Sequence, residues 1–233
     1  MNKRAGVMND IRRVFVLLLT ALMLLSLAGC GGSSADETTA EEPAENTQPS
    51  GQEDNTETAT GGILVIYFSR TGEQYQVGEI DKGNTAIVAE MIAEETGADT
   101  FEILPQEDYY PYTYDELTEV AKQEQSENAR PAYQDNCPDL SAYDTVFIGA
   151  PVWWGDWPMI MYTFFENEDL SGKKLIPFST HEGSGLSGFD SKLASSCPDS
   201  EVLEGLAVRG SDAQTEHDEV RASVKEWLFG LGY

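Results

Sequence analysis

Short apolar runs alternate with amphipathic stretches from Gly62 to the end of the chain. Residues 62–68 (Gly-Ile-Leu-Val-Ile-Tyr-Phe) form an unbroken apolar run, the pattern of a strand covered on both faces. Over residues 84–95, Ile87, Val88, Met91 and Ile92 recur at helical spacing, and Gly97 stands where a left-handed residue closes a helix. Phe101, Ile103 and Leu104 mark a second strand, 114–128 a polar surface helix, 145–150 a third strand and 158–166 a helix. Residues 175–179 predict a fourth strand, in which Pro177 is awkward for a central ladder because it has no N–H. A short helix over 188–195 and a fifth strand over 202–208 follow. The closing helix, 216–231, carries Val220, Val224, Trp227, Leu228 and Leu231 on one stripe, with Thr215 placed to cap it.

Five strands interleaved with helices predict an α/β fold, a doubly wound five-stranded parallel sheet between two helical layers. Ligands of such sheets lie beyond the carboxyl ends of the strands, near the point where strand order reverses. The loops after the first, third and fourth strands are therefore where chemistry is expected.

The chain before residue 62 has a different character. Lys3, Arg4, Arg12 and Arg13 precede an apolar run over 14–28, which is short for a bilayer span and fits the core of an export signal. The run ends in Leu27-Ala28-Gly29-Cys30, which resembles a bacterial lipobox, so residues 1–29 are expected to be a lipoprotein signal peptide and Cys30 the lipidated residue. Residues 30–61 hold eight acids, no Lys or Arg and almost nothing to bury, the composition of a solvated tether. That leaves 62–233 as one domain, held by lipid on the outer face of the cytoplasmic membrane.

The net charge is −27 over the whole chain. Four bases and one acid belong to the signal and eight acids to the tether, so the domain carries −22. This charge disfavours nucleic acid and anionic membrane surfaces as direct partners. Cys137 and Cys197 remain after Cys30, and sequence leaves open whether they pair. His181 and His217 stand apart, without metal-ligand spacing.

Three loops carry the candidate chemistry. After the first strand, Ser69-Arg70-Thr71-Gly72 and, eleven residues past that glycine, Gly83-Asn84-Thr85 at a helix start together offer hydroxyls, free amides and a helix N-terminus, which is an anion cradle. The Gly-Lys-Ser/Thr of a nucleoside triphosphatase is absent. After the third strand comes Pro151-Val152-Trp153-Trp154-Gly155-Asp156-Trp157, with three tryptophans in five residues. A flat heteroaromatic ligand stacking on an indole explains such a loop, while at least one ring is expected to plug the domain's rim. After the fourth strand, Thr180-His181-Glu182-Gly183-Ser184-Gly185 is polar and rich in amides. A hydrolase elbow at Ser184 lacks its first glycine, because position 182 is Glu. Residues alone thus point to a shelf for a planar or phosphorylated molecule.

Together the three loops resemble the flavodoxin family over 62–233. Ser69, Thr71, Asn84 and Thr85 are similar to the family's Ser/Thr-x-Thr-Gly-Asn-Thr phosphate loop, and Pro151 to Gly155 to its second loop. The resemblance implies FMN as cofactor, with Trp153 stacked on the isoalloxazine, Trp154 as a substitute, and residues 180–185 at the pyrimidine edge. It implies electron transfer to a redox partner or quinone-type oxidoreduction. Two departures stand out. Residues 73–82 interrupt the phosphate loop, leaving open whether Gly72 or Gly83 is its working glycine. The third-loop tyrosine that commonly covers the outer flavin face is missing, which leaves that face to substrate, a partner or Tyr75.

Overall fold

Strand β1 (Gly62–Tyr67) has a neighbour on either side in the sheet, and its Leu64, Val65 and Ile66 are wholly buried, as an uninterrupted apolar run requires. The computed structural model containing it describes residues 61–107 and 109–233. The expected leader, the lipidated Cys30 and the tether, apart from Gly61, lie outside the described residues.

In chain order there follow β2 (Gly72–Gln74), β3 (Gly78–Ile80), α1 (Asn84–Thr96), β4 (Asp99–Glu102), α2 (Tyr114–Glu127), β5 (Tyr143–Pro151) and α3 (Met159–Asn167). The chain then continues through β6 (Lys174–His181), α4 (Phe189–Ser196), β7 (Glu201–Val202), β8 (Leu206–Arg209), α5 (Gly210–Thr215) and α6 (His217–Leu231). The sheet runs β4-β1-β5-β6, with β7 and β8 both on the far edge of β6, and every pairing is parallel. The order reverses between β1 and β5. Alternate side chains of the strands feed two cores: Leu64, Ile66 and Ile148 meet α3 and α4 on one face, while Val65, Phe147 and Phe178 meet α1, α5 and α6 on the other. The doubly wound, three-layer reading of the sequence describes this architecture.

The fifth strand departs from expectation by breaking in two. Leu175 O accepts from Leu203 N at 2.9 Å on the edge side of β6, and Thr180 O accepts from Val152 N at 2.9 Å on the other side. Backbone groups alternate sides along a strand, so Pro177 shares the edge side with Leu175 and offers no donor there. The edge pairing stops at Leu175↔Val202 and resumes at Phe178↔Leu206. Gly205 lies in the gap, where a Cβ would stand 2.6 Å from Pro177 O. Pro177 is tolerated because its missing N–H faces a strand that is already interrupted.

Two further corrections are local. The second strand ends at Glu102, and although Ile103 N still donates to Tyr67 O at 2.7 Å, Leu104 turns outward. Thr215 is not the cap of the last helix. It ends α5, a separate turn, and its hydroxyl donates to Ser211 O while Glu216 precedes α6. Cys137 and Cys197 are free thiols.

Candidate functional site

Residues 73–82 leave and rejoin the main fold at nearly the same place. They form most of the antiparallel hairpin β2–β3, which docks on the segment leading into α2: Glu73 N donates to Tyr112 O at 3.1 Å, and the Glu73 carboxylate accepts from Tyr114 N at 2.9 Å, at the positive end of α2. With the insertion looped out, Ser69 and Arg70 lie directly against Gly83. Ser69 Oγ accepts from Ala86 N at 3.0 Å, capping the first turn of α1 from a distant segment. A Cβ on Gly83 would fall 2.7 Å from Arg70 O and 2.9 Å from Arg70 N, whereas Gly72 packs against Tyr112 with φ +89°. Gly83 is therefore the glycine of the closed cradle.

Helix geometry leaves the Asn84 and Thr85 amides without intrahelical acceptors, so they are available to an anion. Arg70 forms no ion pair among the described residues; its guanidinium donates only to Glu73 O at 3.2 Å, and burial depresses its pKa. Thr85 is buried, its hydroxyl 2.8 Å from that of Thr180, which ties the first loop to the third.

The tryptophan loop is a tight turn. Trp153 and Asp156 exchange backbone hydrogen bonds at 2.9 and 3.0 Å, and Trp154 (φ 51°) and Gly155 (φ 74°) between them are both left-handed. Glycine adopts that conformation freely, whereas for a bulky side chain it costs about 1–2 kcal/mol. Trp154 is 53% exposed. Its indole N–H donates to Thr118 O at 2.9 Å, and Lys122 Nζ lies 5.3 Å from its ring centre. Trp153 is partly buried against Phe68 and Tyr110, edge to face at 5.4 and 5.1 Å. Trp157 is the rim plug, stacked on Phe189 at 3.6 Å.

At the end of β6, His181 Nδ1 accepts from Gly183 N at 2.8 Å, which places the ring proton on Nε2. Burial, its largest influence, lowers the His181 pKa and so favours the neutral ring. Glu182 accepts from Ser211 N at 2.6 Å and Ser211 Oγ at 3.1 Å, and so tethers α5.

Two cavities meet at Gly83–Asn84. A cleft of about 230 Å³ gathers Asn84, Pro151, Val152, Trp153, Trp154, Thr180 and His181 from the expected set. A larger cavity of about 930 Å³ takes Ser69, Arg70, Thr71 and Gly83. Gly72, Thr85, Gly155, Gly183, Ser184 and Gly185 line neither. Sequence reasoning missed the cleft wall formed by Tyr114, Leu117, Thr118 and Ala121 of α2. Their spacing of three to four residues along a helix was the available signal. Tyr75 of the hairpin stacks on Tyr114 at 5.5 Å, and the pair flanks the same cleft. No cluster of potential metal ligands occurs among the described residues.

A family model described as Flavodoxin matches residues 62–227. Among solved structures, a protein of Bacteroides uniformis ATCC 8492 described as a flavoprotein is 31% identical, covers 72% of this chain and 97% of its own, and superposes with a TM-score of 0.58. One from Bacteroides eggerthii DSM 20697 with the same description is 30% identical over 71% of this chain and 96% of its own, with a TM-score of 0.56. A flavoprotein of Lactobacillus acidophilus NCFM, solved in complex with FMN, shares the fold at 21% identity, 67% and 97% coverage and a TM-score of 0.52. No curated protein matches the chain.

Proposed function

We propose, since the chain belongs to the flavodoxin family, that it binds FMN and works as an electron carrier or quinone-type oxidoreductase held by lipid at Cys30 outside the cytoplasm. The observation that carries this reading is the excision of the insertion: Ser69–Thr71 closes on Gly83–Thr85 into one cradle beside a cleft walled by tryptophan and tyrosine. The residues present fit the cofactor. Ser69, Thr71 and the first amides of α1 suit its phosphate, with Arg70 as an uncommitted cation. Trp153 would receive the ring system, Trp154 and the Tyr75–Tyr114 pair would flank it, and His181 Nε2–H would face its carbonyl edge.

FMN, when bound, supplies one- and two-electron redox chemistry. The protein's part is to position it, exclude water and set the field around it. A −22 domain opposes added negative charge in the cleft, which predicts a low potential. Outside the cytoplasm nicotinamide cofactors are not at hand, so electrons would come from a membrane quinol or a neighbouring surface flavoprotein within reach of the tether. The test is to titrate the detergent-solubilised full chain with FMN and follow flavin fluorescence. Quenching supports the reading, and a colourless chain that leaves FMN emission unchanged overturns it. Incorporation of labelled palmitate, lost in Cys30→Ala, tests the anchor separately.

A further inference from the structure

The buried stripe of α2 runs Leu117, Ala121, Glu124, and its third member is a carboxylate. Glu124 is 3% exposed. Among the described residues its Oε1 has no hydrogen-bond partner, and its Oε2 has only the Tyr110 hydroxyl, at 3.4 Å. A buried acid so poorly served is costly to ionise, and desolvation pushes its pKa up to about 7. The titratable groups facing it are the phenols of Tyr109 and Tyr110 from the loop after β4. Glu127, on the same helix, acts on Tyr109, while Arg130 beyond the helix is committed to Glu166. Among the described residues no cation offsets its charge.

Behind this acid stands the candidate cofactor shelf. The Tyr110 ring meets Trp153 edge to face at 5.1 Å and Phe68 at 5.5 Å, and Trp153 lines the cleft. We propose that Glu124 is a positioning residue whose uptake of a proton is coupled, through Tyr110, to the seat that Trp153 offers a ligand. This rests on the flavin reading of the cleft.

The physical link is the length of one bond. A phenol donating to an ionised carboxylate closes to about 2.5–2.7 Å, so ionisation draws the Tyr110 hydroxyl inward from 3.4 Å and tilts the ring on which Trp153 rests. A ligand that fits the seat with the Tyr110 hydroxyl at 3.4 Å favours neutral Glu124, the form that leaves that bond long. Ligand binding and proton binding therefore reinforce one another.

Riboflavin is the probe, because it has no phosphate to titrate near neutrality. With the full chain, riboflavin affinity should fall as pH rises through the neutral range, by at most about tenfold per pH unit. It should be flat over that range in Glu124→Gln, which keeps the side-chain volume. On the ligand-free chain, the carboxyl carbon of Glu124, followed by NMR, should titrate near neutrality in both wild type and Tyr110→Phe. Tryptophan emission should follow that titration in wild type only. Riboflavin binding that is independent of pH, or equally pH-dependent in Glu124→Gln, overturns the coupling and leaves the flavin reading intact. Absence of riboflavin binding at any pH overturns the coupling, and absence of FMN binding as well overturns the flavin reading with it.

Discussion

Replacing Gly83 by alanine puts a methyl group 2.1 Å from Ser69 Oγ, 2.7 Å from Arg70 O and 2.9 Å from Arg70 N. The backbone at Gly83 is extended (φ −65°), so alanine suffers no conformational penalty and the perturbation is purely steric. Ser69 can swing away only by giving up its bond to Ala86 N, and the Arg70 backbone can move only by opening the cradle. Overpacking of this kind costs about 1–3 kcal/mol, and the lost cap about 1 kcal/mol more. For the ligand the loss is specific. If opening the cradle removes two hydrogen bonds to a charged phosphate, at about 1.5–3 kcal/mol each, FMN affinity falls roughly 100-fold or more. Riboflavin, which never uses the cradle, should lose less than about threefold.

The assay is the ratio of the FMN and riboflavin dissociation constants, measured by fluorescence quenching well below the melting temperature of the variant. Any inactive fraction cancels in that ratio. Gly78→Ala is the control: its φ of +85° imposes strain in open space in the neighbouring hairpin, so it should lower stability and leave the ratio alone. A Gly83→Ala chain that keeps the wild-type preference for FMN would refute the cradle and return the phosphate to Gly72 or to another site.

Deleting residues 72–82 joins Thr71 to Gly83 and restores an uninterrupted Ser-Arg-Thr-Gly-Asn-Thr; the FMN-to-riboflavin ratio should stay within about threefold while both ligands bind roughly tenfold more weakly, because Gln74 and Tyr75 leave the cleft wall. Trp153→Ala should abolish flavin quenching and destabilise the fold by about 3–5 kcal/mol through its packing on Phe68 and Tyr110; Trp154→Ala should retain quenching, and the reverse outcome would assign the shelf to Trp154. His181 binds its proton less readily folded than unfolded, so its contribution to stability is full above the ordinary histidine range and declines as pH falls through it; thermal melts across that range should flatten in His181→Asn. Glu124 acts with the opposite sign, since its folded pKa is raised and stability declines as pH rises toward about 7, a slope that melts of Glu124→Gln should lack.

The layers of the fold were legible because each rests on a local period. An apolar run such as 62–68 calls for burial on both faces, which the interleaved helices supply, and the 3.6-residue stripe of 84–95 marks a helix by its own period. The broken edge strand was not legible, although its cause was noticed. Pro177 signals a missing donor, but only the register shows which neighbour lacks it. The three loops were located for the same topological reason that makes them functional, yet their division between two cavities depends on where the hairpin folds, and no local pattern encodes that. Glu124 was hidden by composition: among the many acids of a polar helix, a single buried one looks like its neighbours.

What unites the pieces that sequence kept apart is α2. Its polar composition suggested a solvated cover, but the helix grips the tryptophan turn at two points, through Thr118 O to the Trp154 indole and Gln125 Nε2 to Trp154 O at 3.4 Å. Its first amide is held by Glu73 of the hairpin. A bulky residue in a left-handed turn persists only where its surroundings hold it there, and here the holding is done by a helix that also lines the cleft. The turn, the hairpin and the helix are therefore tied into one wall. A ligand entering between Trp153 and the Tyr75–Tyr114 pair meets a surface whose position is fixed largely by hydrogen bonds to backbone carbonyls, which the −22 charge of the domain leaves unaltered. That arrangement lets an anionic protein receive an anionic ligand: apart from Arg70, the recognition surfaces are dipoles and rings, and most of the carboxylates that dominate the composition are turned to solvent.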